Sequence, residues 1–266
     1  MKLSSKRRTS AKFLFTLIVL LTAGAFTLPI TSDIAPGEAI TELEASWSNY
    51  AYNEPHEKRF IVFRINNEDQ TKGKGLRGYA TVMERQQDGT IKVIRKYPTA
   101  YGAKGAGKVK SGDLRTPLGV YTILNTEQRR RKHRREFQKF GGWSLPLNYP
   151  NAFDQAQGRT GYAIKIHGGR NGNTLGCPRI LDGTIDRPKM GHKNIADFAK
   201  LCGKDTKVVI MENIPETLLA DQDETLSPEA VRFWNNTLRE DISYEALLSK
   251  VTTFTNRLNR ILLANA

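Results

Sequence analysis

Cysteine is nearly absent from this chain, with two residues, Cys177 and Cys202, among 266. Histidine occurs four times. Two cysteines cannot staple a disulfide scaffold, and a chain of this length can bury a core without one. Acidic residues are also short, 27 against 41 Lys and Arg, so the formal net charge is +14. That surplus points to an anionic partner, whether nucleic acid, a membrane surface or an acidic polymer. Hydrophobic residues at 39% and charged residues at 26% are ordinary globular values, which excludes the disordered and collagen-like classes.

One uncharged run stands out, Phe13 to Ser32, preceded by Lys2, Lys6, Arg7, Arg8 and Lys12. A basic n-region, an apolar h-region and the small residues Ala23 and Ala25 make residues 1–32 a secretory signal peptide. The run is also close to the roughly 20 residues a spanning helix needs, so an uncleaved inner-membrane anchor is the alternative. Export to the periplasm or cell envelope removes nucleic acid from the partners. Cleavage takes five positive charges with it, and +14 less five leaves +9 on the mature chain. Anionic lipid head groups or the anionic wall polymer remain, with membrane contact only through the amino-terminal segment.

Residues 33–57 are polar and acidic and read as a linker. FIVFRI (60–65), YATVM (79–83) and IKVIRKY (91–97) then read as short strands, with Asp88-Gly89 as a hairpin turn between the last two. GDLRTPLGVYTILN (112–125) delivers the chain through Pro117 and Gly119 into a strand. The basic run RRRKHRR (129–135) is either a solvated face or a surface lying on an anionic polymer. Residues 147–161 read as a long loop, YAIKI (162–166) as a strand ending at His167, Asn194 to Leu201 as a helix, and KVVIM (207–211) as a last strand. Cys202 falls among apolar neighbours as core filler. Ser227, with Pro228 behind it, opens a helical tail of one or two helices.

The stretch IKIHGGRNGNTLGCPRI (164–180) holds one of the few histidines and one of the two cysteines, ten positions apart. A thiol becomes a useful nucleophile when a base takes its proton or positive charge lowers its pKa. Gly168, Gly169, Gly172 and Gly176 make it cheap for the chain to fold back and bring Cys177 to His167. Gly176 would bare backbone N–H groups for an oxyanion, and Arg179 can favour the thiolate or hold a substrate carboxylate. Three blander readings compete: a structural histidine with an inert cysteine, a Cys177–Cys202 disulfide, and a metal site. For the last the ligands are too few, His192 being the sole nearby addition.

RTPLGVYTI, then IHG, then Gly-Cys-x-Arg resembles the YkuD-type L,D-transpeptidase catalytic domain, the cysteine enzymes of peptidoglycan. The matching positions are Thr116, Pro117, Gly119 and Tyr121, then His167 and Gly168, then Thr174, Gly176, Cys177 and Arg179. YPNAFDQAQGRTG leading into IKIHGG is similar to the YafK-like subgroup. Leu175 stands where many members have a second histidine, and the His-to-Cys interval is shorter than in the crosslinking enzymes.

The resemblance implies an α+β fold: a mainly β YkuD-like catalytic domain with a few helices over 58–212, and a helical carboxy-terminal extension over 213–266. It implies Cys177 and His167 as catalytic residues. Gly168, Thr174, Gly176 and Arg179 would serve the oxyanion and the substrate. No cofactor and no metal is expected. The expected partners are peptidoglycan stem peptides, with a wall-attached protein as a further acyl acceptor or leaving group. The reaction would be acyl transfer through a Cys177 thioester; a hydrolase cutting a peptidoglycan-linked amide and a non-catalytic wall-binding module are the alternatives.

Overall fold

The computed structural model describes residues 58–66, 77–128, 134–170, 172–184, 187–239 and 241–264. The expected signal or anchor segment over 1–32, the expected linker over 33–57 and residues 129–133 of the basic run lie outside the described residues. Among the described residues, no helix is long and apolar enough to cross a membrane.

The apolar runs near the start of the described chain form β1 (Arg59–Asn66), β2 (Arg77–Arg85) and β3 (Ile91–Ala100). Asp88 and Gly89 make the β2–β3 turn. Gly89 adopts φ +81°, and the Asp88 carboxylate accepts the Thr90 N–H at 2.9 Å and its hydroxyl at 2.7 Å. Downstream come β4 (Gly119–Thr122), β5 (Glu127–Gln128), β6 (Trp143–Pro146), β7 (Lys165–His167) and β8 (Arg179–Ile180). A separate two-stranded ribbon pairs β9 (Asp182–Gly183) with β10 (Pro188–Lys189), and β11 (Lys207–Glu212) closes the set. Among the described residues the main sheet has nine strands in the order β4-β11-β1-β2-β3-β8-β7-β6-β5, so the fold is mainly β.

Among the described residues five α-helices accompany it: α1 (Arg134–Phe140), α2 (Ala152–Ala156), α3 (Lys193–Leu201), α4 (Pro228–Thr237) and α5 (Tyr244–Ala264). Side chains alternate along a strand, so β1 feeds two cores. Ile61, Phe63 and Ile65 join Val208 and Ile210 of β11 with Ile195 and Phe198 of α3. Phe60 and Val62 join Val209 and Met211 with Phe233 and Trp234 of α4 and Leu247 of α5. Sheet strands covered on both faces read as continuous apolar runs. The carboxy-terminal helices are therefore the cover of the second face. Trp234 is fully buried, 5.5 Å from the Phe60 ring, and its indole N–H donates to the Leu218 carbonyl at 2.8 Å. Ser227 caps α4, its hydroxyl accepting the Ala230 N–H at 3.2 Å.

Two local expectations need correcting. The strand expected over 162–166 begins only at Lys165, because Ala163 has φ +57° and leaves the extended region. The expected loop 147–161 contains α2, started by a capping box: the Asn151 side chain accepts the Phe153 and Asp154 N–H groups while the Asp154 carboxylate accepts the Asn151 N–H.

Candidate active site

Strand register gathers the site. His167 is opposite Arg179 in the parallel β7–β8 pair and opposite Ser144 in the antiparallel β6–β7 pair, while Arg179 is also opposite Ala100 of β3. Directly opposed residues share a face, so His167, Arg179 and Ser144 lie side by side on one surface of the sheet. Cys177 enters two residues before Arg179.

His167 is buried, 3% exposed, with the Phe140 ring packed edge-on at 5.3 Å. Its Nδ1 lies 2.7 Å from the Gly168 carbonyl oxygen. A carbonyl only accepts, so the ring proton resides on Nδ1 and Nε2 keeps its lone pair. Burial first, then the charge of Arg179, pushes the imidazole down to about 3. His167 is neutral at physiological pH.

The half-buried Cys177 thiol rests on the backbone of the segment leading into β7. Its Sγ accepts the Lys165 N–H at 3.4 Å, and its S–H donates to the Ala163 carbonyl at 3.7 Å. Burial pushes the thiol up, whereas the Lys165 N–H and then the charges of Arg179, Lys139 and Lys165 pull it back. The resting pair is thus neutral thiol and neutral imidazole. Cys177 and Cys202 are both free thiols, which excludes the disulfide reading; Cys202 lies 1% exposed in the core at the end of α3.

Thr174 shapes the turn before the thiol. Its hydroxyl donates to the Cys177 carbonyl at 2.6 Å and accepts the Gly176 N–H at 3.1 Å. The Gly176 N–H expected to face an oxyanion is therefore already engaged. The Gly168 N–H is engaged too, donating to the Phe140 carbonyl at 2.9 Å. Among the described residues the Cys177 N–H makes no hydrogen bond, which leaves it as the free donor of this turn. Gly176 has a second reason to be glycine: φ is +132°, and a Cβ there would lie 2.7 Å from the Arg115 carbonyl oxygen.

Arg179 is 8% exposed, and burial lowers its pKa to about 10, so it stays charged. Its Nη1 donates to the carbonyls of Arg170 at 2.6 Å and Gly172 at 2.7 Å, tying down the loop between histidine and cysteine. Its Nε is buried without a partner among the described residues. His192, the further imidazole near the loop, is stacked on Phe137 at 5.2 Å, and among the described residues no group of three His, Cys, Asp or Glu converges.

His167 closes β7 with its proton on Nδ1, and the free Cys177 thiol lies two residues before β8, the positions of the His-Gly and Gly-Cys-x-Arg motifs. The L,D-transpeptidase catalytic domain model, YkuD, matches residues 77–210, half of the chain. The chain belongs to the YkuD family. No curated protein matches it. Among solved structures, the helical cell shape determining protein Pgp2 from Campylobacter jejuni is similar at 17% identity, covering 80% of this chain and 77% of that one with a TM-score of 0.41. Bd1075 from Bdellovibrio bacteriovorus is similar at 18% identity, covering 74% and 71% with a TM-score of 0.40. L,D-transpeptidase 1 from Mycobacterium tuberculosis is similar at 10% identity, covering 57% and 62% with a TM-score of 0.31.

In this YkuD domain the Thr-Pro-x-Gly-x-Tyr element supports the cysteine turn from behind. The buried Thr116 hydroxyl accepts the Gly102 N–H at 2.9 Å, and the Ala103 N–H donates to the Thr174 carbonyl at 2.9 Å. Tyr121 closes the turn on itself, its hydroxyl donating to the Leu118 carbonyl at 2.9 Å. Sequence reasoning missed the Lys165 N–H and the Ala163 carbonyl that hold the thiol. Both are backbone groups, and side-chain identity carries no mark of them.

Proposed function

We propose that this is an exported peptidoglycan acyltransferase, an L,D-transpeptidase acting through a Cys177 thioester on the L-centre of a stem-peptide diamino acid. The observation that supports it best is a free Cys177 thiol seated on the N–H of Lys165, two residues before a neutral His167 whose proton is held on Nδ1. Family membership supplies the substrate class, and the net charge of +14 suits a wall polymer whose peptides end in carboxylates.

Cys177 Sγ attacks the carbonyl carbon at the L-centre as His167 Nε2 takes the thiol proton. The negative charge passes to the carbonyl oxygen, where the Cys177 N–H is positioned to donate; one such donor typically lowers a barrier by about 3 kcal/mol. The tetrahedral intermediate collapses, the C–N bond breaks, and the leaving amine takes the proton from His167. A thioester remains on Cys177. His167 then deprotonates the acceptor, which releases the acyl group and returns the thiol. A stem-peptide amine as acceptor gives a crosslink, a lysine of a wall-attached protein gives attachment, and water gives hydrolysis.

The test is mass spectrometry of tetrapeptide muropeptides incubated with the purified protein and with Cys177→Ala. The expected result is loss of terminal D-alanine with the native protein only, and the ratio of dimer to hydrolysed monomer identifies the acceptor. Unchanged muropeptides together with a thiol inert to alkylation would replace this reading with a wall-binding module.

A further inference from the structure

The tautomer of His167 depends on the direction in which one carbonyl points. That carbonyl, Gly168 C=O, shares a planar trans peptide with the Gly169 N–H, so the two point in opposite directions. The Gly169 N–H donates to the Gly191 carbonyl at 2.8 Å, and the Gly191 N–H returns a bond to the Gly169 carbonyl at 2.8 Å. Gly191 therefore holds the peptide plane and aims Gly168 C=O at Nδ1. The fit has no slack: a Cβ on Gly168 would lie 1.9 Å from the Gly191 oxygen.

Gly191 precedes α3, and the start of that helix is held from outside. No side chain of the helix's own cap residue, His192, bonds the first turn. Instead the Asp182 carboxylate accepts the N–H groups of His192 at 3.0 Å, Lys193 at 3.1 Å and Asn194 at 2.8 Å. A carboxylate at a helix N-terminus also meets the positive end of the dipole. The Asn194 side chain adds a second tie, donating to the Leu181 carbonyl at 2.7 Å. Asp182 lies three residues beyond Arg179, at the start of β9. The carboxylate thus fastens the chain leaving β8 to the helix whose leading glycine aims the carbonyl at the base.

We propose that Asp182 is a positioning residue for His167, keeping its proton on Nδ1 through α3, Gly191 and the Gly168–Gly169 peptide. The inference rests on the reading of His167 as the base. Its test does not need turnover.

Histidine-labelled full-length protein is measured by long-range 1H–15N correlation, with the His167 signal assigned by its loss in His167→Gln; the chain has four histidines, so only three others compete. The native protein should show the Nδ1–H pattern at pH 7. Asp182→Ala should shift His167 toward a mixed or Nε2–H pattern and lower kcat about ten-fold or more at unchanged KM, since a base held in the wrong tautomer costs up to about 10⁴ in kcat in serine proteases. Asp182→Asn keeps the shape and decides the matter if the alanine variant does not fold. Ser227→Ala, which removes the α4 cap far from the site, controls for lost stability and should leave the tautomer unchanged. An Nε2–H pattern in the native protein overturns the proposal, as does an unchanged pattern in the folded Asp182 variants, which would leave Asp182 a helix cap alone. Should the native protein be inert toward muropeptides and its thiol inert to alkylation, the proposed function fails and the tautomer signal still decides this one.

Discussion

Thr174 and Cys177 are joined through a single hydroxyl: Thr174 Oγ1 donates to the Cys177 carbonyl at 2.6 Å while accepting the Gly176 N–H at 3.1 Å. One side chain thus satisfies both backbone groups of the turn that presents Cys177. Thr174→Val keeps the shape and removes the hydroxyl, leaving a buried donor and an acceptor unpaired. The expected cost is about 1–3 kcal/mol of stability by chemical denaturation. Muropeptide turnover should fall further than stability explains, and Thr174→Ser should restore most of it. Full activity in the valine variant would remove Thr174 from the site.

The neutral resting pair predicts how the thiol reacts. Burial raises Cys177 above the ordinary thiol value and lowers His167 to about 3, so no thiolate–imidazolium pair is stored at rest. The rate of Cys177 alkylation by iodoacetamide, with Cys202 buried as an internal reference, should climb with pH and reach half its maximum above the usual thiol range. A reactivity plateau extending below pH 6 would contradict this.

Folding stability should carry the signature of the same histidine. The folded pKa of about 3 lies below the value near 6.5 that an unfolded histidine takes, so between these the unfolded chain binds the extra proton. Stability is therefore full above about pH 6.5 and falls as pH drops through that window toward 3. His167→Gln should flatten the fall in urea melts taken from pH 7 to 4. An equally steep fall in the variant would assign it to other groups. Asp113 acts lower, its carboxylate held below the usual range, against the cost of burial, by Lys108 and backbone N–H groups, so its contribution is lost only under more acid conditions.

Trp234 tests whether the carboxy-terminal helices belong to the core. Fully buried against Phe60 of β1, it should cost about 3–5 kcal/mol when changed to alanine. Urea denaturation at constant m-value measures it. A loss below about 1 kcal/mol would make α4 and α5 an appendage.

Much of this protein was decided by residue pattern alone. The strands β1, β2, β3 and β11 follow from runs such as FIVFRI and KVVIM, because burial on both faces demands unbroken apolar residues. The α4 start follows from Ser227-Pro228, and Cys177 and His167 were singled out by scarcity and by the glycines between them. Tertiary structure decided what depends on backbone direction and on partners distant in sequence. The seat of the thiol on the Ala163 carbonyl and Lys165 N–H, the engagement of the Gly176 N–H by Thr174, and the Gly191 hold on the histidine's carbonyl all involve main-chain groups, which every residue shares. The same reason hid the role of the last helices: amphipathicity shows that a face is buried, and only the packing of Trp234 on Phe60 shows against what.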